Sequence, residues 1–121
     1  MALSKSGQLS PGPTPCAAGA TVLGTAYPVN YGVSGVARIL NGANPPATAC
    51  GLYLDFSADG STWVNGPLVG LADTVANSVK LIPFAIGIGA GADWAYYRVR
   101  FGGNTGQPVT VQVDASTTTG V

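Results

Sequence analysis

From residue 20 onward, apolar side chains recur at every second position in short runs, and no stretch sustains the period of a helix face. Leu52, Leu54 and Phe56 fall on one side of their run, with Tyr53 and Asp55 on the other. Ile82, Phe84, Ile86 and Ile88 repeat the pattern, as do Tyr97, Val99 and Phe101, and then Val109, Val111 and Val113. A period of two places alternate residues on opposite faces of an extended strand, so each run has one face to bury. Turn residues interrupt the runs about every 10 to 14 residues, the spacing of a sandwich or barrel. Strands are therefore predicted over 21–27, 33–40, 50–57, 62–64, 78–88, 94–101 and 107–115. The fold class is all-β: an antiparallel β-sandwich of about seven strands, with jelly-roll and immunoglobulin-like orders both open. Pro83 lacks an N–H and places its strand at an edge or a bulge. A single helical turn is expected only within 70–77.

The first nineteen residues are different. Ser10-Pro11-Gly12-Pro13-Thr14-Pro15 excludes a helix and an inner strand, because proline fixes φ and pushes its neighbour toward extended geometry. The expected organisation is an extended arm over 1–19, a sandwich over 20–115 and a short polar tail over 116–121. Eighteen glycines and nine prolines mostly supply the connections.

Charge narrows the function classes. Of 121 residues, five are Lys or Arg and five are Asp, with no Glu and no His. Soluble domains usually carry about a quarter of their residues as charges. With 46% hydrophobic residues and zero net charge, the exposed faces must be Gly, Ser, Thr, Asn and apolar groups, a surface suited to an assembly. Nucleic acid is a poor partner, because phosphate binding needs clustered cations and only Arg98 and Arg100 are neighbours in sequence. A membrane is not expected either. The apolar run 81–92 is interrupted by Pro83 and by Gly-Ala alternation, and the N-terminus lacks the apolar core of a signal peptide.

The motifs point away from catalysis. Nucleophilic catalysis lacks a His base, and the five Asp residues show no paired spacing, so no catalytic residue is assigned. Asp55-Phe56-Ser57-Ala58-Asp59-Gly60 starts like a calcium loop. It ends at Gly66 where a bidentate Glu is needed, so a hairpin turn capped by its own Asp is the preferred reading. Two Cys and no His leave a zinc site incomplete, and no metal or cofactor is expected. Gly87-Ile88-Gly89-Ala90-Gly91-Ala92 precedes a strand, whereas a phosphate loop precedes a helix. Cys16 and Cys50 are read as unpaired thiols of a protein made in a reducing cytoplasm. The alternative is a bridge tying the arm to the body, and spacing alone does not decide.

The recognition candidates are Trp94, Tyr96, Arg98 and Arg100, which share one face of their strand, together with Tyr53. Aromatic and arginine side chains carry most interface energy. The same alternation also fits a face covered by the 65–77 loop, and flat rings also suit a sugar platform. Pro11, Pro13 and Pro15 of the arm complete the candidate interface.

Ser57-Ala58-Asp59-Gly60-Ser61-Thr62-Trp63 resembles a shortened Asp-box turn. With the Pro-rich segment 10–15 and the closing hairpin 97–111, the chain resembles small β-sandwich virion proteins of tailed bacteriophages, the capsid decoration or cement proteins. That resemblance implies a non-enzymatic protein on the capsid surface, made in the host cytoplasm. It also implies a homo-oligomer, commonly a trimer, that binds the major capsid protein and staples neighbouring subunits through its arm. A carbohydrate-binding module and another phage head or tail subunit are the alternatives.

Overall fold

The computed structural model describes residues 13–24, 26–28, 33–86 and 95–117. These residues form nine strand segments: β1 Thr14–Cys16, β2 Val22–Leu23, β3 Tyr27–Pro28, β4 Val33–Asn41, β5 Gly51–Ser57, β6 Leu68–Leu71, β7 Val79–Ile86, β8 Tyr96–Gly102 and β9 Val109–Thr117. All the pairings are antiparallel. The first sheet runs β1-β9-β4-β7 and the second β2-β8-β5-β6, with β3 also on β8.

β2 meets Phe101 and Arg100 while β3 meets Tyr97 and Tyr96, so these two segments occupy one position along β8. The expected strand over 21–27 is thus two short pieces. Counted by position in chain order, the sheets read 1-8-3-6 and 2-7-4-5. This interleaving is the double Greek key of a jelly roll, which settles the strand order.

The alternation read from the sequence sets the core. Ala37, Ile39, Ile82, Phe84, Val109, Val111 and Val113 of the first sheet face Leu52, Leu54, Tyr97, Val99 and Phe101 of the second. Full burial of a side chain such as Ile39 or Phe101 contributes about 1.5–3 kcal/mol. Ile86 is described in its backbone only, and Ile88 lies outside the described residues.

β7 is an edge strand, one of the two placements that Pro83 allows, since an edge position leaves its missing N–H without a ladder partner to deprive. Two expectations are corrected. Residues 68–71 form an edge strand where a loop leading into a helical turn was expected, and no helix occurs among the described residues. The register shift between Leu52 and Tyr53, opposite β6, spoils the simple alternation there. In the predicted strand 62–64, only Val64 makes a bridge, to Phe56.

Part of the expected arm belongs to a sheet. Thr14–Cys16 pairs with β9 at the edge of the first sheet, Pro15 lying opposite Thr110.

Candidate functional site

The outer face of the second sheet gathers the aromatic and arginine side chains. β5 turns Tyr53 and Asp55 outward and β8 turns Arg98 and Arg100 outward. Register places Asp55 opposite Arg98 and Tyr53 opposite Arg100. The Arg98 Nε–H donates to Asp55 Oδ2 at 3.3 Å. The Arg100 Nε–H reaches both oxygens, Oδ2 at 3.0 Å and Oδ1 at 3.2 Å. The backbone N–H of Gly66 adds a third donor at 3.0 Å.

Asp55 is 0% exposed, while the Arg98 and Arg100 side chains are 18% and 21% exposed. One buried carboxylate therefore holds two cations at the surface. Burial of such a charge is tolerated only when it is paired and hydrogen-bonded, as here.

Aromatic rings fix the other dimension. The Arg98 guanidinium lies 4.4 Å from the centre of the Trp63 ring, and that of Arg100 lies 4.2 Å from the Tyr53 ring. Planar guanidinium groups stack on ring faces in this way. Trp63 reaches Arg98 because the turn before it is tied down. Ser57 Oγ accepts the Gly60 N–H at 2.8 Å, and Asp59 Oδ1 accepts the Ser61 and Thr62 N–H groups, both at 2.8 Å. Gly60 takes φ +82°, a conformation that side chains disfavour. The backbone donors of Thr62 and Ser61, then the Ser57 hydroxyl, hold the Asp59 carboxyl below its ordinary range.

The chain then returns beside β5. The Val64 and Phe56 backbones exchange hydrogen bonds at 2.8 and 3.1 Å, and Gly66 presses against the carbonyl of Leu54. The covering loop expected at 65–77 instead runs beside β5 and joins its sheet as β6, while the Gly66 N–H and the Trp63 ring reach the Asp55 end of the face.

The other half is open. A lateral row Leu23–Arg100–Tyr53–Leu68 crosses four strands, with Leu71 beside it. Leu23, Leu68 and Leu71 are exposed.

Of the sequence candidates, Tyr53, Arg98 and Arg100 come together at this site. Tyr96 shares the face and packs its ring over Gly60. Trp94 and Pro11 lie outside the described residues. Pro13 and Pro15 are exposed on the other sheet's edge, where Pro15 lines a shallow cleft with Leu40, Asn41 and Pro108. Sequence reasoning missed Asp55 as the hub and Trp63 as a stacking partner, having placed Asp55 in a turn motif. The signal was Asp55 facing the same way as Tyr53. Asp55 is engaged by two arginines, which also removes it from the calcium-loop reading. No group of three potential metal ligands occurs among the described residues. Residues 87–94, which include the whole Gly87–Ala92 run, are outside them.

The architecture is therefore a jelly-roll sandwich with an arginine–aromatic outer face. No family model matches the chain, and no curated protein matches it. Solved structures do match. A chain of the T13 particle of infectious bursal disease virus (IBDV) overlays with a TM-score of 0.68 and 9% identity, covering 96% of this chain and 31% of that one. The D431N mutant VP2 protein of the same virus, from derived T=1 particles, gives a TM-score of 0.65 and 10% identity, covering 98% and 32%. A family 16 carbohydrate-binding module aligns at a TM-score of 0.43, too low to establish a common fold. At such identities the viral overlays show a shared fold. The chain spans about a third of the length of those viral chains.

Proposed function

We propose that this chain is a structural virion subunit that packs against neighbouring shell proteins through the outer face of its second sheet. The observation that carries this reading is the row Leu23–Arg100–Tyr53–Leu68. It sets an aromatic ring and a held guanidinium among exposed leucines on a rigid sheet. Apolar side chains around a Tyr or Arg anchor are the make-up of interface hot spots. The first sheet adds exposed Val36, Leu40, Val79 and Leu81 on its own outer side. With so few charges in the chain, protein burial of such faces suits it better than free solution.

The shared fold with a viral capsid protein supports the class. Within it, the resemblance to tailed-phage decoration proteins favours a cement role on a capsid surface. The chain then self-associates, as a trimer in the favoured case, and binds the major capsid protein with the part of the arm ahead of β1, residues 1–13, reaching a neighbour. A sugar platform is the alternative; each of Tyr53 and Trp63 has one ring face taken by a guanidinium, so a pyranose would have to use the other.

Light scattering of the purified chain, followed by co-sedimentation with tailed-phage heads, tests the reading. An oligomer that pellets with heads, and a Leu68→Asp variant that stays folded but is left in the supernatant, is the expected result. A monomer that ignores heads and is retained on a glycan array would overturn it.

A further inference from the structure

We propose that Cys16 and Cys50 form a latent cystine site, in which a thiol–disulfide oxidant joins the two sulfurs and bolts β1 to the opposite sheet. The inference is independent of what the second sheet binds. Cys16 ends β1 in the first sheet, and Cys50 immediately precedes β5 in the second. Both are free and fully buried in the same core cluster.

One loop holds both. On the Cys16 side, Asn104 Nδ2 donates to the Cys16 carbonyl at 3.1 Å, and the Cys16 thiol lies 3.5 Å from Asn104 Oδ1. On the Cys50 side, Gly51 is opposite Gly102, and Thr48 meets Thr105 through backbone and hydroxyl, the oxygens 2.8 Å apart. The two side chains share one core cluster, and each thiol perturbs the titration of the other across the sandwich. They are the chain's only cysteines, so a single internal connectivity exists.

The step balances with glutathione disulfide as oxidant. A Cys16 thiolate attacks one sulfur of the oxidant, forming a mixed disulfide and expelling a glutathione thiolate. The Cys50 thiolate then attacks Sγ of Cys16, forming the Cys16–Cys50 bond and expelling the second glutathione. The oxidant gains two electrons, the protein loses two, and the two thiol protons end on glutathione.

Cys16 is the natural first nucleophile because β1 is a three-residue edge strand, the kind of element that opens locally at least cost. Thiols stay reduced in a cytosol and oxidise outside it. A particle subunit crosses that boundary on release, and the bond would then fix the root of its arm.

The full chain is refolded from denaturant in a glutathione redox buffer, quenched with acid, and its thiols and mass are measured. The expected product has lost both thiols and two hydrogen masses, and it melts at a higher temperature than the same sample in dithiothreitol. Cys16→Ser and Cys50→Ser variants should show no such shift. The proposal is overturned if both thiols still titrate, or if each cysteine instead carries glutathione. A bridged product that melts no higher than the reduced form overturns it equally, since the bond then does not secure β1.

Discussion

Replacing Asp55 with Ala removes the one acceptor shared by three donors. The Nε–H groups of Arg98 and Arg100 and the N–H of Gly66 all converge on it at 3.0 to 3.3 Å. Hydrogen bonds to a charged group are worth about 1.5–3 kcal/mol each when one partner is cut away. Three of them give an upper bound, because the loss is softened in two ways. The arginines keep about a fifth of their side-chain surface in water and can resolvate, and the cost of burying the carboxylate disappears with it. Breaking a fully buried pair costs about 3–5 kcal/mol. The partial exposure of the arginines brings the expectation to roughly 2–4 kcal/mol. In a domain of this size that is a fall in melting temperature of roughly 8–16 °C.

Urea unfolding followed by tryptophan fluorescence measures the loss directly. The slope should stay constant while the midpoint moves. A double-mutant cycle adds a sharper requirement. Arg100 touches both carboxylate oxygens and Arg98 only one, so Asp55 should couple more strongly to Arg100 than to Arg98. A loss under about 1 kcal/mol, within the range of an exposed ion pair, would refute the claim that Asp55 organises this face. So would equal or absent coupling.

Gly66→Ala should destabilise by about 1–3 kcal/mol or more, because its Cβ would run into the Leu54 carbonyl; an unchanged urea midpoint would count against that packing. Stability should also fall at both ends of the pH scale. The folded-state carboxyls of Asp59 and Asp73 titrate below their ordinary range, Asp73 chiefly through the Ser78 hydroxyl. Their contribution is complete above the unfolded pKa of about 4 and is lost as pH drops through the folded values. Burial, with the Cys16 thiol next in effect, pushes Cys50 up to about 12 from 9.0, so stability present below pH 9 should decline between those values. Melting curves from pH 2 to 12 check both limbs, and NMR titration of the two aspartates identifies the acid one.

The inward faces were legible because alternation is a strong signal in strands with one buried side. Val109, Val111 and Val113 landed in the core, and Thr110, Gln112 and Asp114 on the outside, as their spacing requires. Pro83 confined its strand to an edge or a bulge for a purely covalent reason, and β7 lies at the edge. β6 was illegible because Gly70 interrupts its run, and because its partner β5 shifts register between Leu52 and Tyr53. The outer face was half-read. Spacing put Arg98 and Arg100 together, but only tertiary register brings Asp55 opposite Arg98, and only the tied turn 57–62 delivers Trp63 to the same place. Strand order is beyond local sequence altogether, since it rests on pairings such as Val22 with Phe101.

β1 and β9 lie side by side and antiparallel, with Thr14 against Val111. The chain thus enters the first sheet and leaves it toward the same end of the sandwich. A module with its two ends on one side behaves like a cartridge. It can be spliced into a surface loop of a host protein, or have its ends joined and new ones cut elsewhere, without rethreading the sheets. The viral chains that share the fold match this one over about a third of their own length.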